Sequence, residues 1–360
     1  MSVTFKDVAK LAGVSTQTVS RVTNGADNVS PETRERVNQA ISSLGYIPNK
    51  GAQMLSRGKS KTLGIVSLDI TLHGVALIVN GVRQQAYEKG YGAALSIVES
   101  NEFGKIKAAI RELASQQVDY IVVNVPLTQE QAEQLVELFA SLTFMFIDVP
   151  ESSKVSYVCA EHTQGAKMAV QHLVSCQRDD YLLITGPNAS TGSSLRLASW
   201  RNELSKHKKN ITASYEGDWD AKSGYLAIRD ALAKKLTFDA VLVANDQMAL
   251  GVLCALSELG VSVPDRVSVV GFDNISDSAF FTPPLTTVEQ DFIALGQQAV
   301  KRLLDSAEQT DKTPCQLILP TRLVTRASSS VKTKQGDNAQ EILNHLDKAR
   351  TLLQFLAHKN

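Results

Sequence analysis

At 360 residues and 43% hydrophobic content the chain has apolar mass for two or three packed domains. Its 37 Lys and Arg balance 37 Asp and Glu, yet residues 1–60 hold eight basic side chains against four acidic ones and the rest 29 against 33, which excludes a chain uniformly coated for phosphate but not a small basic module on a neutral to acidic body. Cys159, Cys176, Cys254 and Cys315 form no C-x-x-C pair, which speaks against a zinc knot or disulfide framework, and with no export signal in MSVTFKDVAK and no run of 18 apolar residues a cytoplasmic protein without membrane contact is expected.

Thr4 is placed to cap a first helix with Asp7 in its opening turn, and Val8, Leu11 and Ala12 fall on one face before Gly13 ends it. After the turn Gly13-Val14-Ser15, Ser15 caps a second short helix with Val19 and Val22 inward and Thr16, Gln17, Ser20 and Arg21 outward. Two short helices about a glycine-containing turn spell a helix-turn-helix. A third helix, capped by Ser30 with Pro31 in its first position, runs through Val37, Ala40, Ile41 and Leu44 to a Gly45 stop and closes a small core. An ordinary three-helix bundle shares that skeleton. What differs is the outer face of the second helix, which offers hydrogen-bonding groups where a merely solvated helix offers charge. Gln binds an adenine edge with two hydrogen bonds, Arg does the same for guanine, and the Thr methyl suits thymine, so the face fits a major groove.

The run D-V-A-x-x-A-G-V-S-x-x-T-V-S-R-V-x-N, with Y-I-P-N at 46–49, resembles the headpiece of the lactose/galactose repressor (LacI/GalR) family of bacterial transcription regulators, and the similarity continues through nearly the whole chain. It implies a DNA-binding headpiece over 1–48 with contacts from Thr4, Ser15, Thr16, Gln17, Thr18, Ser20, Arg21, Asn24, Val29 and Ser30. Residues 49–61 read by themselves as an interdomain linker, since so short a helix is marginal in water. By resemblance they form a hinge helix that folds when two copies pair in the minor groove, with Asn49, Ala52 and Gln53 at the groove and Leu55 wedged between base steps. Gly51 departs from the β-branched residue expected there and, at up to roughly 1 kcal/mol against Ala, makes the hinge more reluctant to fold.

From Thr62 onward, apolar runs such as TLGIVSL, GAALSIV, YIVVNVP and VSVVGFD alternate with amphipathic stretches such as Val75 to Lys89 and Ile106 to Gln117, the signature of parallel sheet wrapped by helices, with length for two sheets divided near Ala160. Ligands in such folds bind at the carboxyl ends of strands. Asn124, Asp148, Asn245, Asp246 and Asp273 all stand at strand ends. Each alone reads first as a cap or Asx-turn, whereas several together favour a polyhydroxyl site.

The resemblance adds a two-lobed, periplasmic-binding-protein-like core over 62–327, with a segment from about Phe292 returning to the first lobe. The inducer site then falls on Leu72, Ile78, Asn124, Asp148, Arg196, Trp219, Asn245, Gln247, Asp273, Gln290 and Phe292. Arg196, Asn245 and Asp273 are expected as the main hydroxyl partners, Asp148 next, and Trp219 and Phe292 as the rings packed on the sugar. Trp200, within the helical LRLASWRNEL, reads as a packing residue. Leu68, Val75 and Ala160 stand where the matching pattern has serine, proline and phenylalanine, a change at the rim that reshapes the space for an aglycone or second sugar.

The polar run 328–340 reads as a linker, and within 341–360 Ile342, Leu346, Ala349, Leu353 and Leu356 step by 4, 3, 4, 3 as an a/d seam. A single helix docked on the body would show the same stripe. By resemblance it is a C-terminal oligomerisation helix joining two homodimers into a homotetramer.

No strand is followed by G-x-G-x-x-G, no Walker loop occurs, and no histidines stand at metal-ligand spacing, so neither an enzyme nor a cofactor or metal is expected. The fold expected is α/β, an all-α headpiece on a two-lobed core. The function expected is repression of a sugar-utilisation operon through a pseudo-palindromic double-stranded operator, released by a small sugar inducer, a galactoside such as lactose or allolactose. The same family tied to another sugar or a purine corepressor, and a solute-binding protein without regulatory role, are the alternatives.

Overall fold

The computed structural model describes residues 3–26, 28–47, 59–308 and 313–330. The hinge expectations on Asn49, Gly51, Ala52, Gln53 and Leu55, and the seam from Ile342 to Leu356, lie outside the described residues.

The headpiece contains α1 (Phe5–Ala12), α2 (Thr16–Thr23) and α3 (Pro31–Leu44). Asp7 accepts from the Thr4 backbone N–H at 2.9 Å and from its hydroxyl at 2.7 Å, fixing the start of α1. Gly13 and Gly45 stop α1 and α3 in the left-handed region, at φ 65° and 59°. Val8, Ala9, Ala12, Val19, Val22, Val37 and Ala40 form the core. Leu11 is corrected: it is 56% exposed, and Ala9 takes the inward place. In an eight-residue helix the apolar stripe is barely two turns long, and close contact between helices selects the smaller side chain.

The body consists of two six-stranded sheets. In chain order the first lobe takes β1 (Thr62–Ser67), α4 (His73–Glu88), β2 (Gly92–Ile97), α5 (Phe103–Ser115), β3 (Tyr120–Asn124), α6 (Gln129–Leu138), β4 (Thr143–Ile147) and β5 (Tyr157–Ala160). The second takes α7 (His162–Ser175), β6 (Asp180–Thr185), α8 (Thr191–Lys206), β7 (Asn210–Glu216), α9 (Ala221–Ala233), β8 (Ala240–Val243), α10 (Asp246–Glu258), β9 (Ser268–Asp273) and β10 (Thr286–Glu289). The chain then returns to the first lobe as α11 (Phe292–Glu308) and β11 (Gln316–Leu319), and crosses once more to add β12 (Arg322–Val324) to the second. The strand orders are β11-β5-β4-β3-β1-β2 and β12-β10-β9-β8-β6-β7, with β12 antiparallel to β10.

Strands buried on both faces explain the continuous apolar runs. Ile121 and Val123 of β3 face α5, while Tyr120 and Val122 face the layer of α4 and α11. Helices α4 and α11 lie against each other closely enough that a Cβ on Gly81 would collide with the Ile293 carbonyl, and one on Gly296 with that of Ile78. This contact, with β11 paired to β5, is the return to the first lobe expected near Phe292. The second crossing to β12 was not foreseen, because three residues at a sheet edge leave no periodic mark.

The linker expected from Ser328 is corrected too. Ser328 is fully buried and Ser329 is 6% exposed. The Ser328 hydroxyl donates to the Val269 carbonyl at 2.7 Å and accepts from the Thr286 amide at 2.8 Å. The guanidinium of buried Arg178 donates to the carbonyls of Pro264 at 2.7 Å and Ser330 at 3.2 Å, so the chain stays docked on the second lobe through Ser330. Serine composition cannot distinguish a solvated linker from a strand edge that spends its hydroxyls internally. No helix among the described residues is long and apolar enough to cross a membrane.

Candidate functional site

Two sites emerge, far apart in sequence. In the headpiece, Ser15 caps α2 by accepting from the Thr18 amide at 3.1 Å, and the two hydroxyls are 2.9 Å apart. With Val19 and Val22 turned inward, Thr16, Gln17 and Arg21 project into solvent and Ser20 is half-buried. The Asn24 amide donates to Ser20 Oγ at 3.3 Å. Ser30 caps α3 by accepting from the Thr33 amide at 3.3 Å, beside half-buried Val29. Arg34 donates to the Ala26 carbonyl at 2.6 Å and ties the turn after α2 to α3. Thr4, Ser15, Thr18 and Ser30 are thus engaged in caps, while Thr16 and Gln17 in the first turn of α2 and Arg21 in its last form an outward row suited to base edges.

The second site is a cavity of about 150 Å³ between the lobes. It brings together all of Leu72, Ile78, Asn124, Asp148, Arg196, Trp219, Asn245, Gln247, Asp273, Gln290 and Phe292, with Leu68, Val75 and Ala160 beside them. Its walls differ. The first lobe supplies mostly aliphatic side chains, and its Asn124 donates to Ser67 Oγ at 3.3 Å. The second lobe supplies Arg196, Asn245, Gln247 and Asp273, and the first adds the Asp148 carboxylate to Asn124.

Arg196, one turn into α8, is the organising cation. It is buried, stacks its guanidinium 3.8 Å from the Phe272 ring centre and 5.7 Å from that of Trp219, and donates to the Ala244 carbonyl. Asp273 lies 3.8 Å from its Nη2. Its buried Nε–H has no partner among the described residues, which leaves a donor uncommitted. Burial pulls the Arg196 pKa down against the pull of Asp273, Asp148 and Asp246. Burial likewise pushes the Asp273 carboxyl up to about 6 despite Arg196 and a 2.6 Å bond from Gln290 Nε2. Asp148 is raised by the same cause, although it accepts from the Gly192 amide at 3.1 Å and from Ser190 Oγ at 3.4 Å, bonds that run from first lobe to second.

Left-handed backbone occurs at three lining residues and one neighbour. Asp148, Trp219, Asp273 and Asn274 all have positive φ, at 65°, 75°, 116° and 54°. Non-glycine residues in such conformations are held there by their surroundings and cluster at ligand sites. Gly186 lies against Trp219 so closely that a Cβ would run into the indole.

Two strand-end expectations need revision. Asn245 lines the cavity but also caps α10, its Oδ1 accepting from the Met248 amide at 2.9 Å and its Nδ2 donating to the Trp219 carbonyl at 2.9 Å. Only one N–H and one lone pair are left for a ligand. Asp246 does not line the cavity. It is fully buried and accepts from the Ile275 amide at 3.0 Å and from Thr287 Oγ1 at 2.5 Å, and burial beside Asp273 pushes its carboxyl up to about 8. Trp200 is buried in the second-lobe core.

The sequence reading missed His162, Ser190 and Gly192 in the lining. His162 Nδ1 sits 3.4 Å from Arg196 Nη2, and burial with that guanidinium holds it well below the usual imidazole range, so it is a neutral acceptor. His162 stands two residues after β5 as the first residue of α7, and Ser190 caps α8, so both lay near the strand-end and cap signals read elsewhere. Among the described residues no group of three or more His, Cys, Asp or Glu is placed to hold a metal ion.

Residues 4–49 match the family model described as bacterial regulatory proteins, lacI family, and residues 170–329 that of a periplasmic binding protein-like domain. The lactose operon repressor of Escherichia coli K12 is 37% identical over 344 residues, covering 96% of this chain and 95% of that protein. The HTH-type transcriptional repressor PurR of Haemophilus influenzae PittEE is 31% identical over 311 residues, covering 86% of this chain and 92% of that protein. The crystal structure of the lac repressor dimer bound to operator and the anti-inducer ONPF superposes with a TM-score of 0.86 at 37% identity, covering 92% of this chain and all of that one. Headpiece, two-lobed core and interlobe cavity, together with relatives spanning nearly the whole chain, place the protein in the lacI family of bacterial regulatory proteins.

Proposed function

We propose that the chain is a repressor of a sugar-utilisation operon, released from a pseudo-palindromic operator by a small galactoside. One observation carries this reading: the same chain presents an exposed Thr16, Gln17, Arg21 row suited to base edges and a remote cavity where Arg196, Asp273 and Asp148 meet Trp219 and Phe292. A guanidinium with an uncommitted N–H, buried carboxylates and two rings are the chemistry of a pyranose site, pairing vicinal hydroxyls while covering the apolar C–H face.

In this mechanism two headpieces on a homodimer read operator half-sites, and the 49–61 segments, with Asn49, Ala52, Gln53 and Leu55, contact the minor groove between them. Sugar held between the lobes favours a dimer geometry that separates those segments. To switch occupancy from nearly full to nearly empty, the sugar must prefer the low-affinity form by about 10⁴-fold, roughly 5.5 kcal/mol, a preference two subunits share. Linkage demands that operator weaken sugar binding by the same factor. The Ile342, Leu346, Ala349, Leu353, Leu356 seam joins two dimers, and deletion after Gln340 leaves a dimer.

The test is a gel shift on a library of pseudo-palindromic duplexes with and without galactosides, glucosides and purines. Selective retention, reversed by a galactoside, is expected. No preference over random DNA at moderate ionic strength overturns the repressor reading, and release by a purine or glucoside alone overturns the galactoside.

A further inference from the structure

Two of the three connections between the lobes meet the second lobe side by side. Glu289 ends β10 before the 290–291 connection, Arg322 opens β12 after the 320–321 connection, and the two are paired in the antiparallel ladder. Their side chains form a two-pronged ion pair, Arg322 Nε donating to Glu289 Oε1 and Nη2 to Oε2, each at 2.9 Å. The same Oε2 accepts from Asn274 Nδ2 at 2.5 Å. Asn274 Oδ1 in turn accepts from Arg326 Nη2 at 2.6 Å, and Arg326 Nη1 donates to the Leu285 carbonyl at 2.7 Å.

This run of bonds converges on the strained turn. Asp273 and Asn274 are consecutive non-glycine residues at φ 116° and 54°, a geometry that persists only when neighbours over-determine it. Among the described residues the Asn274 amide finds only a long bond to Thr287 Oγ1, at 3.4 Å, so its side chain carries much of the restraint. Asp273 is opposite Glu289 in the β9 to β10 register, and Gln290, the next residue along, donates to Asp273 Oδ1 at 2.6 Å. The two cavity-lining groups are therefore attached to the clasp through one turn and one peptide bond.

We propose that Glu289 and Arg322, acting through Asn274, are positioning residues for the interlobe site: they hold the Asp273–Asn274 turn and thereby set where Asp273 and Gln290 meet the ligand. The part concerning ligand rests on the sugar reading of the cavity. The competing view is an ornamental surface pair, since the Arg322 side chain is 73% exposed and isolated exposed pairs contribute little. The two views differ in what loss of the pair reaches. An ornamental pair disturbs nothing beyond itself, whereas a clasp loosens a turn whose charged member lines the cavity.

The test uses the full-length chain as Arg322→Gln, Glu289→Gln and Arg322→Lys variants. Hydrogen–deuterium exchange without ligand is expected to speed up at the amides of Asn274 and Ile275 in both Gln variants, with those of β8 unchanged. Arg322→Lys, which keeps the charge but not the fork, falls between. For whichever glycoside of the panel quenches the tryptophan fluorescence of the wild type, affinity falls about two- to fivefold in the Gln variants, the range of a well-oriented exposed pair. Unchanged exchange at 272–276, or acceleration spread evenly over the second lobe, overturns the proposal. If no glycoside binds, the sugar reading fails, while the exchange pattern still decides whether the clasp holds the turn.

Discussion

Asp273→Asn separates function from stability by moving them in opposite directions. Holding this carboxyl at about 6 rather than near 3.8 costs the folded chain about 3 kcal/mol once the group is ionised, at 1.36 kcal/mol per tenfold in proton affinity. The sign follows from proton binding: between pH 3.8 and 6 the folded state holds the proton that the unfolded state has lost, so stability falls as pH rises through that window and stays low above it. Asn is the neutral isostere and keeps the acceptor for Gln290 Nε2. Its stability advantage should be small at pH 4.5 and full by pH 8, with about 3 kcal/mol as the ceiling, a rise in Tm of roughly 6–12 °C for a body of this size. On the proposed sugar reading the same change removes a hydroxyl acceptor, for an expected loss of about 1.5–3 kcal/mol or roughly ten- to 150-fold in affinity. Thermal unfolding at pH 4.5 and 8, with fluorescence titration of the sugar at pH 8, reads both. Joint loss of stability and affinity would make Asp273 a structural group. A stability gain with affinity unchanged within twofold would remove it from the ligand's contacts.

Asp246, held at about 8, lowers stability as pH rises from 3.8 through 8 by the same sign, so Asp246→Asn, whose oxygen still accepts from the Ile275 amide, should flatten the pH dependence of urea unfolding between pH 6 and 8; an unaltered slope counts against a carboxyl that titrates there. In the headpiece, Ser15→Ala removes the α2 cap, about 1 kcal/mol, and should weaken binding to every duplex alike, whereas Gln17→Ala should relax preference at one base position by roughly 1–3 kcal/mol in a competition gel shift. Equal loss across all duplexes for both would refute base contact by Gln17. Gly186→Ala drives a methyl into Trp219, so the indole emission should shift and sugar affinity should drop at least about tenfold, the worth of one well-placed contact, with operator binding in the absence of sugar retained.

Signals carried within a few residues were legible. Thr4, Ser15 and Ser30 cap the helices they precede, Gly13 and Gly45 stop the helices they follow, and the alternation after Thr62 yields two parallel sheets, because caps, left-handed stops and buried strands depend on local geometry. Leu11 shows the limit of periodicity: which of two adjacent apolar residues faces a small core depends on the distance to a neighbouring helix, and that distance is not local.

For the cavity, residue types at strand ends and the family resemblance together named the eleven positions the structure gathers, yet neither told how each is used. Only tertiary packing decided that Asn245 spends half of its amide on a cap and the Trp219 carbonyl, that Asp246 turns away into the core, and that His162 faces Arg196 as a neutral acceptor. It alone brought Glu289, 15 residues on from Asn274, within hydrogen-bonding reach, and Arg322, 33 residues beyond Glu289, into its ion pair. The sequence by itself determined which segments become helix and strand and which chemistry they carry. Where those groups meet, and which of them keep a free donor or acceptor, was decided by three chain crossings between lobes, because burial and strand pairing act at distances in sequence that no local pattern records.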